Sequence, residues 1–176
     1  MQEVETVAIL GCGDAEAAWA LLCALARCAV RLHDPSEEAL ERAATGVRAL
    51  VDAATGAGAL TRGERQRVLD GILFTPDLEE AITAADLVLD GSGGASVLAA
   101  HHLRASALVA APDDRSAARL AERLPHPART IALRLARTPG FLRRAELVPV
   151  EGASAHAVAR ARRLVERVNR AGGHVR

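Results

Sequence analysis

Short apolar runs and longer amphipathic stretches alternate along the chain from end to end. Residues 4–10 form the first apolar run and predict a strand. Residues 14–28 follow, apolar almost all round (Ala17, Ala18, Leu21, Leu22, Leu25), which predicts a helix buried against a sheet. Residues 29–33 read as a second short strand, ended by Asp34. Pro35-Ser36-Glu37-Glu38 opens the next helix with a capping serine and acidic first-turn residues. That helix runs to about Val51, and Gly56-Ala57-Gly58 breaks the pattern. A short polar helix starts after Thr61, whose hydroxyl and Glu64 form a capping-box pair.

The second half keeps the rhythm. Strands are expected at 72–74, 87–89, 107–110, 131–135 and 146–150, and helices at 77–81, 113–123 and 154–169. A last strand stub is expected at His174-Val175. Alternation of this kind predicts an α/β fold: a doubly wound, mostly parallel sheet with helices on both faces and right-handed crossovers. Neither a long repeat nor a linker interrupts it, so residues 1–176 read as a single domain.

The first strand runs into Gly11-Cys12-Gly13, and a helix follows at once. This is the start of a dinucleotide-binding, Rossmann-type fingerprint. The first glycine makes the tight turn and the second lets backbone approach a pyrophosphate. The third lets helix and strand pack closely. Here the third position is Glu16, an anion at the helix N-terminus that a pyrophosphate would also seek. Asp34 closes the second strand, about 20 residues after the glycines, where a carboxylate accepts the ribose hydroxyls of NAD. Asp34 is also a good turn residue before a proline. Gly11, Gly13 and Asp34 are therefore the candidate cofactor-binding residues, with NAD as the cofactor.

Composition removes other classes of function. Half of the residues are apolar and only 2% aromatic, so the core is aliphatic. Net charge is zero and no basic tract stands apart, so nucleic-acid and anionic-membrane binding find no support. No apolar run approaches the ~20 residues of a spanning helix. The acidic N-terminus enters a strand at once, unlike a signal peptide. The chain contains no lysine and no tyrosine. A Walker P-loop, Schiff-base chemistry and a Tyr-x-x-x-Lys dehydrogenase are thereby excluded. Cys12, Cys23 and Cys28 fit neither a disulfide framework nor a zinc site; they read as reduced thiols of a cytoplasmic protein, with Cys12 a small turn residue and no metal bound.

Over nearly its whole length the chain resembles the NAD-binding domain of the 3-hydroxyacyl-CoA dehydrogenase family. The resemblance rests on Val7 to Gly13, on Val30-Arg31-Leu32-His33-Asp34-Pro35-Ser36-Glu37-Glu38-Ala39-Leu40-Glu41, and on Leu60-Thr61 through Asp77-Leu78-Glu79-Glu80-Ala81 to Ala85-Asp86-Leu87-Val88-Leu89. It implies hydride transfer between NAD and a 3-hydroxyacyl thioester, with acyl-CoA as the substrate partner. The family pairs a catalytic histidine with an orienting glutamate; their positions fall on Arg134 and Glu146. A guanidinium stays protonated and cannot take a proton from a hydroxyl. The family's Ser-Asn pair falls on Ala111-Pro112, and the asparagine after its histidine falls on Arg137. The segment between Asp90 and Ala107 is short, which trims the crossover helix near 96–104 that carries His101 and His102. The family's C-terminal helical domain has no counterpart in these residues. The resemblance therefore leaves two expectations open: a dehydrogenase domain, or a non-catalytic relative acting as a binding domain. It also implies a homodimer or a partner protein meeting the chain near Thr138 to Arg144, where Phe141 and Leu142 lie.

Overall fold

The computed structural model describes residues 5–136 and 144–173. Strands β1 (Thr6–Leu10), β2 (Ala29–His33), β3 (Ile72–Thr75), β4 (Leu87–Asp90), β5 (Leu108–Ala111), β6 (Thr130–Ala136) and β7 (Arg144–Val148) form one seven-stranded sheet. Its order is β3-β2-β1-β4-β5-β6-β7. Every pair is parallel except β6 with β7, which is antiparallel. The α/β, mostly parallel, doubly wound sheet expected from the alternation is the one observed.

Helices α1 (Asp14–Leu25), α2 (Glu37–Gly56), α3 (Arg62–Asp70) and α7 (Ala155–Gly173) cover one face. Helices α4 (Leu78–Ile82), α5 (Ala95–Leu98) and α6 (Asp114–Ala121) lie over the other. The two-residue period of a strand sorts side chains between these faces. In β1, Val7 and Ile9 pack toward α1, whereas Ala8 and Leu10 pack toward α4. β4 and β5 are buried along their whole length, as central parallel strands must be.

Helix ends differ from the pattern-based expectation where local hydrogen bonds decide them. α1 stops at Leu25 rather than Cys28, because Arg27 adopts a left-handed φ of 63° and the Cys28 N–H donates to the Cys23 carbonyl. That is a Schellman closure without glycine. α2 runs past Val51 to Gly56, since Ala54 is buried under it, and the break falls at Gly58 with φ 73°. Ser36 caps α2 by accepting from the Ala39 N–H, and Thr61 and Glu64 close a capping box on α3. The crossover from β4 to β5 is reduced to four-residue α5 and a 3-10 turn, Ala100–His102. The expected stub at His174-Val175 and the loop containing Arg137, Phe141 and Leu142 lie outside the described residues.

Candidate functional site

The strand order reverses at β1, between β2 and β4. In open α/β sheets this switch point leaves a crevice at the carboxyl ends of the strands. A cleft of about 210 Å³ lies there, walled by Ile9, Leu89, Ala110 and Leu133 from the strands and by Trp19 from α1. Glu16 and Arg134 contribute the opposite charges at its edges.

Gly11 and Gly13 stand at the mouth of this cleft. Gly11 has φ +107°, a conformation that side chains rarely adopt, and its N–H donates to the His33 carbonyl at 2.8 Å. This bond ties the end of β1 to the end of β2. Gly13 is the N-cap of α1 and has no side-chain capping bond. The cradle needs Gly13 and Gly91 bare, and Glu16 fills the space they leave. A Cβ on Gly13 would lie 2.6 Å from Glu16 Oε2, and a Cβ on Gly91 would collide with the same carboxylate. A half-buried carboxylate thus stands where the glycine loop, the β4 end and the first turn of α1 converge.

Asp34 lies at the end of β2, beside the loop. Its Oδ1 accepts the Ser36 N–H at 2.9 Å, so it makes the turn into α2. Among the described residues the other oxygen has no protein partner, so the turn role leaves an acceptor for a ribose. Burial, then the charges of Asp34 and Glu16, push the Cys12 thiol up to about 12. A thiol held so firmly protonated is no nucleophile, which fits a turn residue.

Arg134 and Glu146 face each other in the antiparallel register of β6 and β7. Arg134 Nε donates to Glu146 Oε2 at 2.8 Å, with the side chains 60% and 38% exposed. A pair this exposed contributes up to about 1 kcal/mol. Ala111 and Pro112 line the same cleft. His101 and His102 do not: they sit on the 3-10 turn before β5, at the opposite end of the sheet, and His102 Nδ1 faces Glu79 Oε1 at 3.2 Å. Among the described residues no cluster of three or more His, Cys, Asp or Glu side chains could hold a metal ion. Nor is any of their helices long and apolar enough to cross a membrane.

Two cleft residues escaped the sequence reading. Asp90 closes β4 and is 2% exposed. Its Oδ1 accepts from the Ser92 N–H and hydroxyl and from the Gly94 N–H; its Oδ2 accepts from the Ser96 N–H and hydroxyl. Both oxygens are used in shaping the loop, which leaves Asp90 a scaffold rather than a base. The signal was an aspartate ending an apolar strand before Gly-Ser-Gly-Gly, a local-turn pattern. Trp19, the one tryptophan, was readable only as a helix residue.

The residues present suit half of an NAD molecule. Asp34 and the bare Gly11–Gly13 turn suit the ribose and the approach of the chain. A pyrophosphate brought to the N-terminus of α1 would meet the Glu16 carboxylate, which stands between Gly13 and Gly91.

Residues 6–91 match the sequence model of the 3-hydroxyacyl-CoA dehydrogenase NAD-binding domain. The 3-hydroxyadipyl-CoA dehydrogenase of Escherichia coli K12 is 36% identical over 92 residues, which are 52% of this chain and 19% of that one. Among solved structures, the 3-hydroxybutyryl-CoA dehydrogenase of E. coli K12 superposes with a TM-score of 0.85 at 25% identity, covering 95% of this chain and 37% of the other. The (S)-3-hydroxybutyryl-CoA dehydrogenase of Ralstonia eutropha superposes at 0.84 with 19% identity, covering 95% and 62%, and shows the fold alone. The chain thus spans less than two thirds of each of these proteins. The family match covers Gly11, Gly13, Glu16 and Asp34 and stops before Arg134 and Glu146. Through residues 6–91 the chain is similar to the NAD-binding domain of the 3-hydroxyacyl-CoA dehydrogenases.

Proposed function

We propose that this chain is an NAD(H)-binding-type domain of a 3-hydroxyacyl-CoA dehydrogenase that holds the dinucleotide weakly and carries no proton transfer of its own. The Glu16 carboxylate in the glycine cradle carries this reading. A second observation points the same way: at the position of the family's histidine, Arg134 is committed to Glu146. Hydride transfer to or from a 3-hydroxyacyl thioester needs an acid/base to move the hydroxyl proton, and a guanidinium is neither at any working pH. The fold, Gly11, Gly13 and Asp34 are what a dinucleotide domain requires. The substrate class, an acyl-CoA or another acyl thioester, is taken from the relatives' names. A helical domain in a homodimer or a partner protein would complete an acyl site.

The test is calorimetric titration with NAD⁺ and NADH, alongside oxidation of 3-hydroxybutyryl-CoA by the chain alone. Weak or undetectable binding and background turnover are expected. Loss of acid–base help alone costs about 10²–10⁴-fold. Tight binding with robust turnover would overturn the proposal. Arg134→His alone should recover little, because the Glu16 carboxylate still stands in the glycine cradle.

A further inference from the structure

The opposite end of the sheet holds a second cavity, of about 260 Å³, that the dinucleotide reading does not use. It opens where the abbreviated crossover leaves the start of β5 and the end of α6 uncovered. Its floor is apolar, formed by Leu103, Ala107, Val109 and Leu124. Its charged and titratable lining groups are Arg104, Arg129, His101 and His126, with no carboxylate among them.

The charges around this end do not balance. Asp86 is 3% exposed and fully engaged: Oδ1 accepts from Arg104 Nη1 at 3.0 Å, and Oδ2 accepts from the Glu5 and Thr6 N–H groups. Arg160, from α7, is 3% exposed. Its Nη1 donates to the Ser106 carbonyl, while its buried Nε and Nη2 have no partner. Burial, and then the nearby charges of Arg104 and Arg129, lower its proton affinity against the opposing pull of Asp86. The Arg129 side chain makes no hydrogen bond or ion pair among the described residues, its backbone N–H donating to the His126 carbonyl. Arg160 thus lies in the field of one carboxylate, Asp86, already paired with Arg104, and of two guanidiniums, Arg104 and Arg129. A buried cation left uncompensated is costly, and an anion nearby removes much of that cost.

We propose that this cavity binds a small organic anion with a hydrocarbon body, of the alkanoate class. The carboxylate would pair with Arg129 and Arg104 at the rim, in the field of Arg160. The chain of the ligand would lie on Leu103, Val109 and Leu124. A planar guanidinium takes a carboxylate by two parallel hydrogen bonds, and an apolar floor with few polar anchors is the usual form of a small-molecule pocket. The site is separate from the cleft and does not depend on NAD binding there.

Octanoate is the probe, titrated calorimetrically into the full chain, with octanol and octylammonium as isosteric controls. One molecule per chain is expected, with octanol at least about tenfold weaker and octylammonium not binding, since a charge-assisted bond contributes about 1.5–3 kcal/mol. Arg129→Gln should weaken octanoate by a similar factor. Ala105→Trp, on the exposed rim, should block the cavity without touching the core. Circular dichroism melts establish that both variants fold. The proposal is overturned by no octanoate binding at millimolar concentration, by octanol binding equally well, or by octanoate affinity surviving Ala105→Trp.

Discussion

Glu16 decides most at the scale of single residues. If a dinucleotide enters, its phosphates come within roughly 6–8 Å of that carboxylate, and at an effective dielectric near 20 the repulsion is about 2 kcal/mol. That amounts to about 30-fold in affinity. Glu16→Gly is therefore expected to raise NAD⁺ affinity by about that factor in calorimetry. Glu16→Gln, which keeps the bulk and drops the charge, should recover only part of it. Equal affinity of the native chain and Glu16→Gly would mean the carboxylate never opposes the phosphates. Residue identities were legible here: Gly11, Gly13, Glu16, Asp34 and the Arg134–Glu146 pair all stand in the linear pattern. Where Glu16 points was not legible. It follows from Gly91, a residue far along the chain whose missing side chain gives the carboxylate its space. Asp90 was hidden for the same reason, because its role lies in the five bonds it accepts. Asp90→Ala should strip the buried Ser96 N–H and hydroxyl of their acceptor and cost on the order of 3 kcal/mol. Chemical denaturation would measure this, and a loss below about 1 kcal/mol would show that the loop is shaped without it.

At the scale of elements, the caps control where helices begin, and two of them titrate. The Ser116 N–H, then its hydroxyl, hold the Asp113 carboxyl below its ordinary 3.8. The Thr61 N–H, then its hydroxyl, hold Glu64 below its ordinary 4.5. A carboxyl depressed on folding adds stability above its unfolded value and loses it as pH falls through the folded one. The melting temperature should thus fall on acidification from about pH 5 toward pH 2. Asp113→Asn keeps a good cap and removes one titrating group, so its melting temperature should fall less steeply over the same range. Parallel curves for the two proteins would sink this assignment. The starts of α2 and α3 were legible because Ser36 and Thr61 announce them. Helix ends were less so: α1 closes on Arg27 in a left-handed conformation that only the packed structure imposes. The antiparallel turn of β7 was readable in hindsight, since the seven residues 137–143 between the last two strands are too few for a parallel crossover.

Across the whole molecule, one aliphatic cluster joins α1, α2, α3 and α7 to the sheet, and it includes Trp19 at 6% exposure and Leu164 at 2%. The alternation of strands and helices made this architecture legible, because each element is apolar on the side that the next must cover. Continuity of the cluster has a consequence for unfolding. A cluster that ties helices from both ends of the sequence to one sheet is expected to come apart in one step. The lone tryptophan reports on α1, whereas far-ultraviolet circular dichroism reports on every helix, α7 included. Urea transitions followed by the two signals should superimpose. Leu164→Ala removes a buried side chain from α7, at the far end of the sequence from Trp19. Truncations of that kind cost about 2–5 kcal/mol. In a single cooperative unit, the fluorescence midpoint must fall as far as the circular dichroism midpoint. If Leu164→Ala instead lowered the circular dichroism transition and left Trp19 unmoved, α7 would be melting on its own, and the C-terminal helix would be a separable cover rather than part of the core.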